Sequence, residues 1–410
     1  MYIPRAIELR IRQLSRDYPV IMVCGPRQVG KTTILLHLAD GETSKRTYVS
    51  LDDTDARYLA KTDQKLFFQT YPLPVLIDEI QYAPELFPYI KLLADTKKLA
   101  GGIWLTGSQK YQMIKGVSES LAGRIAVADM YGLSVAELYR TPLHTFSIDL
   151  PELLERERSG KYPHIDVHTA YTLMYHGSLP KTASGEITDI PTYYANHVRT
   201  YVERDIRELA GITNTLSFSR FLSSLAARCS QQLNYAECAR DAEISEPTAK
   251  SWVNVLISLG IVFLVHPYFS NALKRITKTP KLYFHDCGLV AWLCRWLSPE
   301  TFEAGAMNGA LMENFVVSEI WKSYANNLRE PPVWYYRDKE KHEIDLLIEE
   351  NGKLHPVEIK KAASPSGDMI SSFGVLDKLA IPRGNGAVVC LADRPVPVDR
   401  ENVVIPLGLI

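Results

Sequence analysis

Apolar and polar positions follow two different patterns along the first part of the chain. Over residues 1 to about 140, short continuous apolar runs are separated by stretches with helical periodicity. Short runs of this kind are typical of strands buried on both faces, and intervening helices allow neighbouring strands to run parallel. The pattern therefore predicts an α/β fold with a parallel sheet between helices. The runs lie at residues 20–24, 48–51, 75–77 and 103–105.

The pattern changes after residue 140. Residues 141–205 contain no strand-like run and are typical of helix and loop, whereas residues 206–280 resemble a small helical bundle that ends in one or two strands. From residue 281 to residue 410 the α/β character returns. We therefore expect four regions: 1–140, 141–205, 206–280 and 281–410. Strands of the last region are predicted at residues 344–348, 357–359 and 387–391.

Composition and charge narrow the class of protein. The 410 residues are 46% hydrophobic and 23% charged, and the formal net charge is -1. The whole chain is thus not a polycation, so any nucleic-acid contact must come from a local basic face. The six cysteines form no CxxC pair, which argues against a zinc site, and a chain of this size is not expected to rely on a disulfide framework. No apolar stretch is long enough to predict a transmembrane helix, and we expect a cytoplasmic protein without membrane contact.

A phosphate-binding motif follows the first apolar run. Residues 25–32 read GPRQVGKT, which fits GxxxxGK[ST] without mismatch between a predicted strand and a predicted helix. In such a loop backbone N–H groups surround phosphates, the lysine reaches the outer phosphates and the hydroxyl binds Mg²⁺. We predict ATP and Mg²⁺ as ligands. The expected nucleotide-binding residues are Gly25, Pro26, Arg27, Gln28, Val29, Gly30, Lys31, Thr32 and Thr33.

Two acids follow the third apolar run. Asp78 is expected to complete the Mg²⁺ shell with Thr32, and Glu79 to orient and activate the attacking water. The next predicted strand ends in small polar residues. Either Thr106 or Ser108 there could sense the γ-phosphate, and Ser108 joins the predicted nucleotide site.

An arginine further along has two interpretations. Arg124 could act as a finger on the nucleotide of a neighbouring subunit, or it could be a surface arginine paired with Glu119. The first interpretation requires a homo-oligomer, and we expect a ring, possibly of six subunits. The second requires no partner.

Residues 234–260 have the spacing of a helix-turn-helix. Ser245 is expected to cap the second helix, and Pro247 lies in its first turn. DNA contact by this second helix is one interpretation, and a packing or protein-contact module is the other. The polar side of the helix carries Thr248, Lys250, Ser251 and Asn254. A following basic stretch that could track phosphates contains Lys274, Arg275, Lys278 and Lys281.

Acids and a lysine recur near a predicted hairpin in the last region. Asp345 begins a strand, a turn signal follows, and Glu358 and Lys360 share one face of the next strand because strand side chains have a period of two. Two carboxylates brought together can bind Mg²⁺ or Mn²⁺, and the lysine can position or help deprotonate water. Glu313, on a predicted helix upstream, could add a third carboxylate. The alternative is a surface hairpin with salt-bridging charges.

These motifs occur in an order that resembles a known family. They read GPRQVGKTT, LIDEIQYAP, LTGS, ESLAGR, HGSLP, YVERDI, KLYFHDCGLVAWL, GALMENFVVSEI, EIDLLI and VEIKK. Over nearly its whole length the chain resembles bacterial and archaeal AAA-type ATPases fused to a C-terminal domain of unknown function with a restriction-endonuclease-like core. The resemblance implies an AAA ATPase core, a helical lid or linker, a winged helix and a PD-(D/E)xK nuclease-like domain over the four regions. It implies nucleotide roles for Lys31, Thr32, Asp78 and Glu79. It implies nuclease roles for Asp345, Glu358 and Lys360, with Glu313 as the helix acid.

The nuclease pattern is not matched at every position. Ile344 stands where the name of the motif has proline, and no clear glutamine follows the strand that carries Glu358 and Lys360. Three interpretations of function therefore remain open. The first is an ATP-dependent enzyme that binds and cleaves DNA. The second is an ATP-driven DNA motor, for example on branched DNA, whose nuclease-like domain does not cleave. The third is an ATP-dependent switch whose winged helix binds protein.

Overall fold

The structure is a computed structural model that describes residues 2–97, 100–108, 121–202 and 214–410. It divides into two compact units. The first comprises Met1–Gly132, Ser258–Gly260 and Ala325–Arg329. The second comprises Leu133–Ile257, Ile261–Tyr324 and Glu330–Ile410. Glu119 and part of the YVERDI motif lie outside the described residues.

A five-stranded parallel sheet forms the centre of the first unit. Its order is β2-β3-β4-β1-β5, and every neighbouring pair is parallel. The strands are β1 Val20–Cys24, β2 Thr47–Ser50, β3 Val75–Asp78, β4 Ile103–Gly107 and β5 Ile125–Asp129. The four predicted strands are present with small shifts at their ends. The sequence pattern missed β5 because its residues alternate between buried and partly exposed positions and form no continuous apolar run.

Helices and one 3-10 turn connect these strands. The strands β1, β3 and β4 are buried along their whole length, as expected of a sheet covered on both faces. The helices are α1 Glu8–Asp17, α2 Lys31–Asp40, α3 Thr54–Thr62, α4 Gln64–Thr70 and α5 Leu86–Lys97. The 3-10 turn at Ile80–Tyr82 directly follows β3 and its two acids.

The second unit begins with short helices. They are α6 Val135–Tyr139, α7 Leu150–Arg158, α8 Val167–His176, α9 Pro180–Ala183 and α10 Ile190–His197, followed by a π-helical turn at Val198–Val202. Three further helices then precede a two-stranded antiparallel sheet. These elements are α11 Thr215–Ala226, α12 Tyr235–Asp241, α13 Glu246–Ser258, β6 Val262–Val265, α14 Ala272–Thr277 and β7 Lys281–Phe284. The helix α14 between the two strands was not expected from the sequence.

A six-stranded mixed sheet occupies the C-terminal part of this unit. Its order is β12-β13-β11-β10-β9-β8. The strands are β8 Val333–Arg337, β9 Glu343–Glu350, β10 Lys353–Ile359, β11 Gly386–Cys390, β12 Val396–Pro397 and β13 Asn402–Pro406. The helices before it are α15 Cys287–Leu293, α16 Pro299–Ala304 and α17 Asn308–Ala325, and 3-10 turns lie at Gly367–Lys378 and Leu407–Leu409.

The predicted hairpin joins β9 to β10. Asn351 and Gly352 have φ angles of 53° and 73°, the left-handed conformation that a tight two-residue turn requires. The two strands pair antiparallel, with Leu346 opposite Val357. This register brings the start of β9 to the end of β10, where the predicted acids lie.

A buried carboxylate holds the HGSLP segment in the second unit. Asp286 accepts hydrogen bonds from Ser178 N at 2.7 Å, Tyr194 OH at 2.7 Å and Leu289 N at 2.7 Å. Gly177 beside it has a φ of 75°, and an added Cβ would lie 2.1 Å from the Tyr194 hydroxyl oxygen. The Ser178 hydroxyl also donates to this acid, at 2.9 Å, so four buried donors share one carboxylate and the motif has a structural role. Within the described ranges, no helix combines the length and the apolarity needed to cross a membrane.

Candidate functional site

The loop between β1 and α2 has the backbone that its glycines permit. Gly25 has a φ of 151°, and an added Cβ would lie 1.9 Å from the carbonyl oxygen of Met130. Gly30, with a φ of 95°, is the N-cap residue of α2, and Gln28 also has a positive φ of 64°. Residues with side chains rarely adopt these conformations, so the loop shape depends on the glycines. The N-terminus of α2 is thereby presented at the end of β1, which suits an anion.

Lys31 lies buried at the start of α2 without an acidic partner in contact. Its Nζ donates to the carbonyl oxygens of Gly25 at 3.0 Å and Pro26 at 2.7 Å, and the residue is 6% exposed. Burial lowers the pKa of this ammonium, although Glu79 and Asp78 act in the opposite direction. Among the described residues Lys31 forms no ion pair, so its charge is available to a phosphate.

Asp78 is the last residue of β3, and its carboxylate accepts hydrogen bonds from three hydroxyl groups. Its Oδ1 accepts from Thr32 Oγ1 at 2.6 Å and from Thr106 Oγ1, and its Oδ2 accepts from Tyr48 OH at 3.3 Å. The strand β4 lies between β1 and β3, which explains why Thr106 at its end reaches Asp78. The predicted Thr32–Asp78 pair is therefore in contact. The sequence analysis missed Tyr48, although its position at the start of β2 could have suggested it.

Glu79 is held by side chains of two neighbouring segments. It has a φ of 57°, its backbone N–H donates to Thr106 Oγ1 at 3.1 Å, and its Oε2 accepts from Gln81 Nε2. Gln81 Nε2 also donates to Ser108 Oγ at 3.2 Å. The structure thus connects Glu79 with Ser108 through Gln81, which the sequence analysis did not identify. A polar residue two positions after a predicted catalytic acid was the available signal.

The remaining predicted residues of the first unit lie around this site in different settings. Arg27 Nη2 lies 3.5 Å from Tyr82 OH, whereas Thr33 is exposed on α2. The carbonyl oxygen of Val29 accepts a 2.8 Å hydrogen bond from Arg5 Nη1. Arg5, which the sequence analysis missed, also donates to Tyr131 O at 2.8 Å and so ties the loop to the segment after β5.

Arg124 pairs with an acid of its own unit. Its Nε donates to Asp95 Oδ1, and its side chain is 35% exposed. The alternative partner Glu119 lies outside the described residues. The finger role therefore stays a prediction, and an exposed ion pair of this kind is weak enough to exchange for another partner.

The donors of this site fit a nucleotide with Mg²⁺. A buried ammonium bonded only to carbonyl oxygens and a helix N-terminus both suit phosphate, and the paired Thr32 and Asp78 oxygens are hard ligands of the type Mg²⁺ prefers. Lys31 and the loop amides would hold the phosphates, and Thr32 with Asp78 would hold the metal. Glu79 lies next to them on the chain as the candidate base.

The residues predicted for a second site lie close together at the hairpin of the C-terminal sheet. Asp345 Oδ2 accepts from Ile359 N at 2.9 Å across the β9–β10 pair. Lys360 Nζ lies 2.6 Å from Glu358 Oε2 and 3.9 Å from Asp345 Oδ2. Ser372 Oγ donates to the other oxygen of Glu358 at 3.1 Å. The structure therefore brings the three predicted hairpin residues together.

The helix acid Glu313 belongs to the same cluster but forms hydrogen bonds with other residues. Its Oε1 accepts from Tyr283 OH at 2.6 Å and from Lys281 Nζ at 3.0 Å. Lys281 Nζ also pairs with Glu343 Oε1 at 2.7 Å. We name the seven residues Lys281, Tyr283, Glu313, Glu343, Asp345, Glu358 and Lys360 the carboxylate cluster. The sequence analysis missed Tyr283 and Glu343 here, although the period of two on β7 places Lys281 and Tyr283 on one face.

The prediction that a basic stretch contacts phosphates is wrong for two of its four residues. Lys281 is 3% exposed and pairs with acids of the cluster. Arg275 pairs with Glu349 at 2.8 Å and lies over the ring of Tyr268, 4.3 Å from its centroid. Both charges are neutralised inside the unit, whereas Lys278 is exposed. Sequence spacing could not distinguish these cases, because the partners are distant along the chain.

The carboxylates of the cluster are hard to ionise together. Burial, reinforced by the nearby charge of Asp345, raises the pKa of Glu358 to about 8. Burial also raises the pKa of Glu313 to about 7, with Lys281 opposing the shift and Asp345 adding to it. Neighbouring acids that resist ionisation are relieved by a cation. The cluster therefore favours a positively charged ligand.

The oxygen ligands of the cluster fit Mg²⁺ or Mn²⁺. Asp345 and Glu358 lie on either side of the Lys360 ammonium and would hold the metal, while the role of Glu313 as a third ligand stays a prediction because it is bonded to Lys281 and Tyr283. Among the described residues, the three potential ligands that converge within 4.8 Å lie elsewhere, in the turn before β9. They are Asp338, Glu340 and His342.

Three regions of the chain match known families, and the match in the first unit is to a domain of described type. Residues 17–139 match the profile of an AAA domain. Residues 168–300 match a domain of unknown function, DUF8612, and residues 308–410 match another, DUF4143. Two uncharacterized proteins, from Mycobacterium tuberculosis and Mycobacterium bovis, are each 28% identical over 402 residues, which is 98% of this chain and 83% of theirs.

Several solved structures are similar at low sequence identity. A Walker-type ATPase of Pyrococcus abyssi is 16% identical, covers 70% of this chain and 94% of its own, and has a TM-score of 0.41. The RuvB Holliday junction branch migration motor of Thermotoga maritima is 13% identical, with coverage of 63% and 88% and a TM-score of 0.32. DnaA of Aquifex aeolicus is 16% identical, with coverage of 61% and 85% and a TM-score of 0.30. The matched profile and the loop geometry together show that the N-terminal region of this chain is similar to AAA domains and has the backbone of a phosphate-binding loop.

Proposed function

We propose that this chain is an ATP-hydrolysing protein that binds DNA and cleaves its phosphodiester bonds with a divalent metal. The observation that carries the proposal is the contact of Asp345, Glu358 and Lys360 at the end of one hairpin, with Glu358 only 4% exposed. A hairpin that serves stability alone has no need of a buried acid beside a second, partly buried one, since the burial of acids is costly.

ATP hydrolysis rests on the site around Lys31. The loop amides and the Lys31 ammonium would neutralise the phosphates, and Glu79 would orient water. The bond from Gln81 to Glu79 fixes the carboxylate in the structure. A base held in this way must be released or redirected when water is activated, so Gln81 is expected to influence the rate.

DNA binding rests on the helices α11 to α13 and the sheet of β6 and β7. The helix α13 buries Ala249, Trp252, Val253 and Leu256, and Thr248 N donates to Ser245 Oγ at 3.2 Å, as predicted for its cap. The opposite side exposes Lys250, Ser251 and Asn254. A three-helix module with an exposed polar face on its third helix suits the major groove.

Oligomer formation rests on Arg124. Its side chain is partly exposed, and among the described residues it is held by an exposed ion pair to Asp95 and a 2.9 Å hydrogen bond to the carbonyl oxygen of Ala122, contacts weak enough for it to reach a neighbouring subunit. We expect rings, with six subunits as the expected number. Sedimentation with ATP and DNA tests this expectation, and a strictly monomeric profile contradicts it.

Cleavage chemistry rests on what the cluster residues can do. Asp345 and Glu358 would hold the metal, which would act as a Lewis acid on the scissile phosphate. Lys360, 40% exposed at the end of β10, reaches from these acids toward solvent and can orient water or hold a phosphate oxygen. Glu313 and Glu343, engaged with Lys281, shape the negative side of the cluster.

The proposal is tested on a panel of linear, branched and single-stranded DNA. Binding is followed by mobility shift in a salt titration, and cleavage is followed with Mg²⁺ or Mn²⁺, with and without ATP. A steep loss of binding with salt is expected for phosphate contacts. Cleavage that needs a divalent metal and disappears in Asp345→Asn supports the full proposal. Absence of DNA binding contradicts it and favours the protein-binding switch.

A second function is favoured by one observation. The acids of the cluster are already paired with lysines, Glu358 with Lys360 and Glu313 with Lys281. Such pairing would suit a DNA grip that does not cleave, attached to an ATP-driven motor. ATP hydrolysis and DNA binding without cleavage of any DNA form under either metal would select this second function.

A further inference from the structure

Two lysines divide the carboxylate cluster into two halves. Lys281 lies between Glu313 and Glu343, at 3.0 Å and 2.7 Å, and we name these three residues the inner half. Lys360 lies 2.6 Å from Glu358 and 3.9 Å from Asp345, and these three form the outer half. The Lys281 side chain is 3% exposed and that of Lys360 is 40% exposed. Only the outer half is thus open to solvent on its cationic side.

The inner lysine is held in place by its strand. Lys281 begins β7, where it pairs with Val265 of β6 and forms an isolated bridge with Gln232. Its ammonium lies 5.5 Å from the centroid of the Tyr335 ring, and Tyr283 on the same strand donates to Glu313 at 2.6 Å. A buried ammonium on a paired strand cannot swing away as a surface lysine can. Lys281 therefore remains among the acids when a ligand arrives.

The charges of the cluster leave room for one divalent cation. Once a bound cation has displaced the protons from all four carboxylates, they face two lysines and Arg337, which reaches Glu343 at 3.4 Å, and the four negative and three positive charges give one net negative charge. One divalent ion already exceeds this excess, and a second would be repelled by the fixed Lys281. The four carboxylates belong to Glu313, Glu343, Asp345 and Glu358.

We propose that Lys281 takes the place of a second metal ion, so that the cluster binds a single divalent cation at the outer half. Lys281 is a positioning residue: it holds Glu313 and Glu343 and confines the metal to Asp345 and Glu358. This inference rests on the proposed metal site. It concerns the number of ions bound, which is measured without cleavage.

The test is an equilibrium titration of the full chain with Mn²⁺, without nucleotide, in which free Mn²⁺ is followed by electron paramagnetic resonance. Ions of the outer half are counted as those that Asp345→Asn removes, and ions of the inner half as those that Glu313→Gln removes. Wild type is expected to bind one. Lys281→Met frees the inner acids and is expected to bind two, with the first ion at least about tenfold tighter because a nearby positive charge is gone.

Matched variants separate charge from packing. Lys322 is another buried lysine, 2.6 Å from Glu319 and 3% exposed, but it lies outside the cluster, so Lys322→Met is expected to keep one ion. Lys281→Arg keeps the charge and is expected to keep one ion, whereas Lys281→Gln keeps polarity and is expected to bind two. Circular dichroism verifies folding, and Lys281→Gln decides the question if Lys281→Met does not fold.

Each outcome separates this inference from the metal site on which it rests. Two ions in wild type, or one ion of unchanged affinity in folded Lys281→Met and Lys281→Gln, overturns the role of Lys281 while leaving the metal site intact. A second ion in Lys322→Met also overturns it. Wild type that binds no Mn²⁺ removed by Asp345→Asn contradicts the proposed metal site itself, and the inference with it.

Discussion

The nucleotide site and the carboxylate cluster are opposite in charge. At the first site a buried ammonium, that of Lys31, bonds only to carbonyl oxygens among the described residues, and burial lowers its pKa. At the second, burial raises the pKa values of Glu313 and Glu358. The first site therefore favours an anion and the second a cation. A protein can bind a phosphate either directly, through a cationic side chain, or indirectly, through a metal ion held by anionic side chains.

The two sites also differ in how the chain assembles them. The nucleotide loop is continuous in sequence, from Gly25 to Thr33, and its shape follows from glycine conformations. The cluster draws residues from β7, α17, β9 and β10, so it exists only when the second unit is folded. A change in the loop should thus affect ATP alone, and a change in the cluster should affect metal and DNA chemistry alone.

The largest effect is expected for Lys31→Ala. No other described cation of the loop lies buried at the start of α2, so ATP hydrolysis should fall by about 1,000-fold. Phosphate release measures this loss, and Mn²⁺ binding by the cluster should be unchanged. Lys65→Ala, at an exposed lysine of the same unit, is the matched control and should hydrolyse ATP normally. A Lys31→Ala protein with normal turnover contradicts the phosphate role.

Asp345→Asn is the reciprocal change and is expected to be nearly as large. It removes a charge while keeping the size of the side chain, so metal-dependent cleavage should fall by about 100-fold or more. Gel analysis of end-labelled DNA measures cleavage, and ATP hydrolysis is measured on the same sample. Loss of ATP hydrolysis together with cleavage would show that the two sites are not independent.

Glu79→Gln should have a smaller effect within the nucleotide site. ATP should still bind, because Lys31 and the loop are intact, but hydrolysis should slow by about 100-fold because the amide cannot accept a proton. Binding of a fluorescent ATP analogue and steady-state turnover separate the two steps. Equal turnover in Glu79→Gln and wild type would remove the water-activating role.

The smallest effect is on stability without metal. The folded chain keeps protons on Glu313 and Glu358 up to about pH 7 and 8, whereas their ordinary pKa is 4.5. Between these values the unfolded chain binds fewer protons, so the free energy of unfolding falls as pH rises, by on the order of 2 kcal/mol. Denaturant unfolding at pH 5.5 and 8.5 measures this fall, and Mn²⁺ should reduce it.

A double variant identifies the groups that cause this pH dependence of stability. Glu313→Gln combined with Glu358→Gln cannot ionise at these positions and should flatten the pH dependence. The same slope in the double variant and in wild type would assign the effect to other groups. A free energy of unfolding that rises with pH in metal-free wild type would contradict the raised pKa values of Glu313 and Glu358.

Sequence reasoning identified the parts of each site that are local. The loop residues, the acids after β3 and the hairpin with Asp345 and Glu358 all follow from motifs and from the period of two along a strand. It missed Gln81, because the presence of a polar residue two positions after the acid does not by itself show that the two side chains are hydrogen-bonded. It assigned Lys281 to an exposed basic stretch, because the acids that bury its charge lie far along the chain.

The fold shows the same division. Strands buried on both faces were predicted, because continuous apolar runs mark them, whereas β5 was missed since its exposure alternates. The helix α14 between β6 and β7 was also missed, because the sequence analysis treated its residues as a basic stretch without a secondary structure. Tertiary packing decides such segments, and the sequence pattern alone does not contain it.

We propose that one chain carries two independent phosphate-processing sites of opposite charge. Independence of the two sites is tested by measuring ATP hydrolysis and Mn²⁺-dependent DNA cleavage side by side in wild type, Lys31→Ala and Asp345→Asn, with cleavage assayed without ATP. Wild type is expected to have both activities, Lys31→Ala to lose only ATP hydrolysis, and Asp345→Asn to lose only cleavage. A wild type that binds DNA and hydrolyses ATP but nicks no DNA form would contradict it.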